Sequence, residues 1–398
     1  MASAHPVSDL ADTAAACADR LQEADSVLLA SHIDADGLTS AAIAATALER
    51  AAIPFETVFS KQLDAAELES IAATDHETVL FTDFGSGQLD LIAGHEAAGA
   101  FTPVIADHHQ PADAETEYHL NPLLVGINGA SELSGAGASY VLARALASTA
   151  QQSTDNRDLA ALAVVGAVGD MQAGVDGLSG ANTHIVAEGV EASVIEESTD
   201  LTLYGKQTRP LPKLLEYASD ARIPGISNDA AGAIEFLSDL DLDLKADGEW
   251  RCWVDLADDE RQVLVSALAQ RAVTSGVPAS RIDDLVGTSY QLTREEPGTE
   301  LRDVSEFSTL LNATARYDRA DVGLAVCLGD REAALDRARQ LLRNHRRNLS
   351  EGLQWVTTEG VTIEDNLQWF DAGTRIRETI VGIVAGMAVG APGVRRDL

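Results

Sequence analysis

Apolar and polar positions alternate at helical spacing from Asp9 to Gln22, and the rhythm then changes. Ser26-Val-Leu-Leu-Ala-Ser31 is a short, continuous apolar run that ends in polar residues, which predicts a buried strand. An alanine-rich stretch from Thr39 to Ala51 predicts a helix, with Thr39 or Ser40 near its start. Thr78 to Thr82 and Pro103 to Ala106 read as two further strands. Ser134-Gly-Ala-Gly-Ala138 opens a helix running to about Ala147, and Leu159 to Val168 is another apolar helix. This alternation predicts an α/β fold, with a parallel sheet and helices on both faces.

Beyond about Gly189 the pattern loosens. Glu191 to Asp247 contains Pro210, Pro212 and Pro224 and reads as a connecting helical region. Glu260 to Thr274 predicts a helix, Arg302 to Asp330 has a mixed pattern, and Arg331 to Ser350 is a long arginine-rich helix. Leu353 to Phe370 alternates like strands, and Thr374 to Val389 returns to helix. The expected organisation is therefore an α/β domain over 1–190, a helical connector over 191–350 and a partial α+β domain over 351–398. No internal repeat or low-complexity segment interrupts it.

Composition narrows the function classes. At 398 residues and 45% hydrophobic content the chain can build a full core, which excludes global disorder. No apolar run reaches the roughly 18 residues that span a bilayer, and Met1 to Leu10 has neither a basic nor an apolar signal region. Cys17, Cys252 and Cys327 are too far apart for a zinc or disulfide framework, which fits a reducing cytoplasm. The net charge is −35. Only four residues are lysine, Lys61, Lys206, Lys213 and Lys245, and the acids are dispersed rather than gathered in a tail. A dispersed carboxylate excess keeps a protein hydrated and self-repelling, and we read it as adaptation to a high-salt cytosol, as in halophilic archaea. It does not exclude a nucleic-acid substrate. At molar salt counterion release contributes little, so stacking, specific hydrogen bonds and metal coordination must supply affinity at a local site.

Three predicted strands end in acids: Ser31-His-Ile-Asp-Ala-Asp-Gly37, Thr82-Asp-Phe-Gly85 and Ala106-Asp-His-His-Gln110. In an open α/β sheet ligands gather at the carboxyl ends of strands, so these acids should converge. Such a cluster is costly unless cations neutralise it. A fourth acid, Asp170, follows an apolar helix in Gly166-Ala-Val-Gly-Asp170. Oxygen ligands plus imidazole suit manganese, with magnesium or cobalt as substitutes. Two such ions can activate water and clamp a phosphoryl group. The first motif is not an EF-hand loop, because Ile43 stands where that loop needs a bidentate Glu.

His32-Ile-Asp-Ala-Asp-Gly37, Asp83, Asp107-His-His109 and Gly169-Asp170 resemble the four motifs of the DHH phosphoesterases over roughly residues 24 to 190. The resemblance implies two divalent cations bridged by Asp83. Asp36, His108 and Asp170 would complete one site and Asp34 the other, with His32 a further candidate ligand. It also implies that Asp107 orients His108 and that His109 faces the substrate phosphate or acts as general acid. Glu306-Phe-Ser-Thr-Leu-Leu-Asn-Ala-Thr-Ala-Arg316, Cys327-Leu-Gly-Asp330 and Gly205-Lys-Gln-Thr-Arg-Pro210 are similar to archaeal RecJ-like segments, which places Asn312 and Arg316 near nucleic acid. Lys206, Arg209 and Lys213 form a local cationic spot that could position a phosphate backbone; balancing nearby carboxylates is the alternative.

The expected function is metal-dependent hydrolysis of single-stranded DNA or RNA from an end, in DNA repair or replication, with replication proteins such as GINS as partners. The alternatives are a phosphodiesterase of short oligonucleotides or cyclic dinucleotides, and a non-catalytic replication scaffold. RecJ-like proteins also carry a C-terminal DHH-associated domain with a Gly-Gly-His segment. No such tripeptide occurs here, so residues 353–398 are expected to be only the opening of that domain, with its remaining strands missing.

Overall fold

The computed structural model describes residues 5–149, 155–218, 222–389, 391 and 393–395. They form two compact units, 1–309 and 310–398.

The first unit opens with helix α1 (Ala11–Gln22). It then alternates β1 (Val27–His32), α2 (Ala35–Arg50), β2 (Phe55–Ser60), α3 (Ala65–Ala72), β3 (Thr78–Thr82), α4 (Leu89–Ala97), β4 (Thr102–Ala106) and β5 (Tyr118–Leu120). Helices α5 (Gly135–Thr149), α6 (Ala160–Gly169) and α7 (Ala181–Glu191) follow. The five strands pair in parallel in the order β2-β1-β3-β4-β5, as the alternation predicts. Leu28, Ala30, Val79, Phe81 and Ile105 point to one face and pack with Leu68, Ile71, Leu89 and Ile92 of α3 and α4. Helices α1, α2, α5 and α6 pack together on the other. A strand buried on both faces must be apolar throughout, which is why β1, β3 and β4 read as continuous apolar runs, whereas the outer strands β2 and β5 carry no such run and no strand was expected there. The register aligns their ends: Ser31 lies beside Thr82, and Thr82 beside Ala106. The acids that follow each strand therefore emerge side by side.

Helix α2 begins earlier than Thr39 or Ser40. Its cap is Asp34, whose carboxylate accepts a hydrogen bond from the Gly37 amide at 3.0 Å, and Asp36 lies in the first turn, where acid suits the helix dipole.

The connector is not purely helical. Strand β6 (Ile195–Leu201) leads to α8 (Leu211–Glu216), α9 (Ala230–Ser238), the short hairpin β7 (Lys245–Ala246) and β8 (Glu249–Trp250), α10 (Asp258–Thr274) and α11 (Ala279–Asp283). The chain then returns as β9 (Val286–Leu292), antiparallel to β6. In the middle of β6, Glu196, Glu197 and Asp200 are polar and only its two ends are buried, so it carries no alternating apolar signal. Leu211, Leu214, Leu215, Trp253, Leu264 and Leu268 build a separate core here.

The division between the units falls within α12 (Val304–Ala315). The mixed stretch resolves into α12 and α13 (Ala320–Cys327), followed by α14 (Ala333–Glu359), a minimal hairpin of β10 (Thr362–Ile363) and β11 (Gln368–Trp369), and α15 (Glu378–Ala388). Leu353 to Val356 is thus helix, which corrects the strand expected there. Leu349, Leu353 and Val356 recur at helical spacing and pack with Ile376, Ile380 and Val384. Among the described residues no helix is long and apolar enough to cross a membrane.

Candidate metal centre

Strands β1, β3 and β4 deliver His32, Asp83 and the Asp107-His108-His109 triplet to one edge of the sheet, and α2 and α6 add Asp34, Asp36 and Asp170. These eight residues converge as expected. Three groups have ligand atoms within 4.8 Å of one another: His32 with Asp34 and Asp83; Asp36 with His108 and Asp170; and Asp83 with Asp107, His108 and His109.

Asp83 joins the groups. One of its oxygens lies 3.5 Å from His32 Nδ1 and the other 3.3 Å from His108 Nε2. Its side chain is 2% exposed, and Oδ1 accepts no hydrogen bond. The backbone there is left-handed, φ 60°, which for a non-glycine residue stores strain. Two amides at the start of α5 hold Asp36: Gly135 donates to it at 2.7 Å and Ala136 at 3.0 Å. A methyl at Gly135 would lie 2.4 Å from Asp83 Oδ1, and one at Gly166 would lie 2.5 Å from Asp36 Oδ1. Both glycines leave room for the carboxylates.

His108 Nδ1 donates to the Gly129 carbonyl at 2.7 Å, which turns Nε2 toward Asp36 and Asp83. Gln172 donates to that same carbonyl at 2.9 Å and to Asp170 at 2.8 Å, and Asn182 donates to Gln172 at 2.7 Å. Asp107, fully buried, accepts from the Ser86 amide, from its neighbour's amide and from His109 Nδ1 at 2.8 Å. Asn121 donates to the His109 carbonyl and to Ser86 Oγ, both at 2.9 Å. This supporting layer of Ser86, Asn121, Gln172 and Asn182 is absent from the sequence reading, because isolated polar residues in loops carry no pattern. Orienting partners of this kind are the usual complement of metal ligands.

Burial and then the charge of Asp83 push the Asp36 carboxyl well above the usual carboxylate range, and burial likewise raises Asp170. Burial also opposes charge on His108, but its contact with Asp83 and the surrounding carboxylates outweigh this and push it up to about 11. His32 rises to about 10 for the same reason, with Asp34 and Asp83 as its partners. Burial pushes Asp107 up, but the bond from His109, the charges of both histidines and the Ser86 amide together outweigh it and hold the carboxyl well below the usual range. With protein charges alone, the crowded acids draw protons onto imidazoles. Divalent cations satisfy the same field and release those protons. An orphaned buried carboxylate oxygen between two donor sets of oxygen and imidazole fits such ions.

A cleft of about 680 Å³ opens beside this centre, lined by His32, Asp83, Asp107, His109, Gln110 and Lys61 among others. Lys61 follows β2, and the scarcity of lysine is the one signal that could have assigned it to the site. His109 is 54% exposed, while His108 is buried. Asn312 lies in α12, and Arg316 follows it with an exposed side chain.

The cationic spot behaves differently. Lys206 is only 4% exposed and pairs with Asp200 at 3.0 Å and Asp303 at 3.7 Å. Its place among the strand-contacting residues is thereby corrected, because a buried ammonium held by two carboxylates is structural. Arg209 stacks over Tyr204 and Tyr217, and Lys213 pairs with Glu216.

Residues 26–167 match the DHH family N-terminal domain, and residues 203–286 match the DHH-CID domain. An uncharacterised protein of Methanocaldococcus jannaschii is 28% identical over 366 residues, which is 90% of this chain and 75% of that protein. RecJ from Thermus thermophilus in complex with Mn2+ superposes with a TM-score of 0.57 at 17% identity, covering 98% of this chain and 46% of that one. This chain thus spans about half the length of that RecJ. Cdc45 from Entamoeba histolytica gives 0.64 at 12% identity, covering 90% of this chain and 75% of the other. These structures share the fold. The two matched domains together span more than half of the sequence, the first of them holding three of the four acid-bearing motifs, and the chain belongs to the DHH superfamily with a RecJ-like fold.

Proposed function

We propose that this chain is a two-cation phosphodiesterase that hydrolyses single-stranded nucleic acid from an end, in DNA repair or replication. The observation that supports it is Asp83, buried between two donor groups with one oxygen lacking any hydrogen bond. His32, Asp34 and Asp83 would hold one ion, and Asp36, His108 and Asp170, with Asp83, the other. Divalent cations, manganese first, supply a polarised phosphoryl group and an acidified water at neutral pH. The chain supplies the positioning. Asp107 fixes His109 through Nδ1, which leaves Nε2 to give a proton to the leaving oxygen. Asn312, Arg316 and Arg209 are the proposed strand contacts.

Two further readings have support. The cleft has the size of a small-ligand site, which favours short oligonucleotides or cyclic dinucleotides as substrate. The likeness to Cdc45 favours a scaffold in a replication complex, with proteins such as GINS as partners. A nuclease assay on end-labelled single-stranded DNA and RNA with manganese in high salt separates them. Stepwise shortening of long strands is expected. Cleavage of dinucleotides alone supports the short-substrate enzyme, and no cleavage of either supports the scaffold.

A further inference from the structure

The acids of the metal centre are steadied by donors of two kinds. Asp34 accepts from the Gly37 amide, and Asp36 accepts from the amides of Gly135 and Ala136. Those donors belong to the backbone, so no side-chain substitution removes them. Asp170 is held differently. It caps the end of α6 with its side chain 31% exposed. Among the described residues its carboxylate has one hydrogen-bond donor, the Gln172 side chain, which reaches Oδ2 at 2.8 Å.

The backbone puts Gln172 under that carboxylate. Met171 takes a left-handed conformation, φ 60°, which turns the chain back beneath α6. The Gln172 amide then bonds to the Ala167 carbonyl at 3.0 Å, and the residue is buried. Nε2 spans two acceptors, Asp170 Oδ2 and the Gly129 carbonyl at 2.9 Å. A carbonyl only accepts, so Gly129 fixes which end of the side-chain amide is nitrogen. Oε1 points away and accepts from Asn182, also buried, at 2.7 Å. The Gly129 carbonyl accepts from His108 Nδ1 as well. Two of the three residues in the Asp36, His108 and Asp170 group therefore lean on one shared support.

We propose that Gln172 is a positioning residue that sets which divalent cation this group accepts, by keeping Asp170 to coordination through one oxygen. With Oδ2 engaged, Oδ1 is the oxygen left for an ion. A carboxylate free to turn can offer both. Calcium takes about 6–8 oxygen ligands and draws on bidentate carboxylates, whereas smaller ions settle for an octahedron. Asp36 has both oxygens on amides, so Asp170 is the member of the group whose denticity a side chain controls. Holding it to one oxygen favours manganese or magnesium over calcium. The inference rests on the two-cation reading above and names the residue that tunes it.

The test is cation binding to the full chain without substrate. Manganese is titrated in, followed by the paramagnetic resonance signal of the free ion, and then displaced with calcium. Gln172→Met keeps the side-chain length and removes the donor. Manganese affinity at one of the two sites should fall on the order of tenfold, and the ratio of calcium to manganese affinity should rise by about tenfold. A ratio is the same whatever fraction of the variant is folded, so lost stability does not imitate the effect. Asn182→Ala, which leaves Gln172 without its own donor, should move the ratio in the same direction by less. If Gln172→Met weakens manganese and calcium alike, Gln172 only ties the Gly129 loop to α6, and the proposal is overturned. Unchanged binding of both ions overturns it too. In either case a parent that binds two manganese ions leaves the two-cation reading standing. A parent that binds none ends that reading and this inference together.

Discussion

A buried carboxylate oxygen without a donor costs about 1–3 kcal/mol, and Asp83 combines that cost with a left-handed backbone. Strain of this kind persists where the surroundings impose it, commonly at functional sites. Asp83→Ala should therefore fold, with unchanged or raised melting temperature in EDTA, because repulsion with Asp36 is relieved. In calorimetry with manganese it should lose the joined site, and turnover should vanish rather than fall in proportion. Near-normal turnover by this variant would end the two-cation reading. A second substitution probes the geometry without touching a ligand. The methyl of Gly135→Ala would lie 2.4 Å from Asp83 Oδ1 and 2.8 Å from Asp83 Cβ, so Asp83 must shift with its backbone and not by rotation alone. Manganese affinity should fall on the order of tenfold, the lower end of what a disturbed ligand-orienting neighbour costs, alongside an overpacking loss of about 1–3 kcal/mol in EDTA stability. Equal affinity in variant and parent would mean that Asp83 does not ligate from its observed position.

At the scale of elements, the segment Gly205-Lys-Gln-Thr-Arg-Pro210 is clamped to the start of α12. Glu306 is fully buried and accepts from the Gln207 amide at 2.7 Å and the Thr208 hydroxyl at 2.5 Å. Gln207 in turn accepts from the Gly298 amide at 2.9 Å. Burial pushes the Glu306 carboxyl up to about 7, despite those donors. An acid whose folded affinity for protons is raised stabilises the fold fully at low pH and loses that contribution as pH rises through about 7. Glu306→Gln should thus gain stability relative to the parent between pH 5 and pH 8, by at most about 3 kcal/mol. A pH-independent difference in melting temperature would refute this. Lys206→Met tests the neighbouring pair. It removes the ammonium that Asp200 and Asp303 share, and should cost about 3–5 kcal/mol in denaturant melts. Native stability with selective loss of long-strand binding would instead restore Lys206 to the strand. This clamp shows where reading a sequence stops. The parallel strands and the acids behind them were legible because both-face burial demands unbroken apolar runs and the ligands follow directly in the chain. The loop lysine looked like a surface contact because Asp200, though only six residues before it, lies on a strand with no local apolar period, and its second partner, Asp303, comes from a distant position. Likewise β6 and β9 pair across almost a hundred residues, with polar middles that no local period reveals.

Over the whole molecule, the charge imbalance separates the two units by their response to salt. Residues 1–309 hold 51 acids against 16 bases, whereas residues 310–398 hold 12 of each. Self-repulsion in the first unit is screened over about 8 Å at 0.15 M salt and about 3 Å at 1 M. Screening lowers the energy of the compact, highly charged state more than that of the expanded chain. The centre itself adds to the effect, since Asp36 and Asp83 are crowded together and no bound cation offsets them in EDTA. Raising salt from 0.15 M to 3 M in EDTA should therefore slow amide hydrogen exchange in peptides from 1–309 much more than in peptides from 310–398. A high-salt cytosol would supply that condition permanently. The choice of salt separates screening from preferential exclusion, because an excluded salt such as sulfate strengthens burial throughout. Sodium chloride is thus the informative titrant, with sulfate as the comparison. If chloride slows exchange equally in both units, the acidic surface is not what salt acts on, and the high-salt reading of the composition fails.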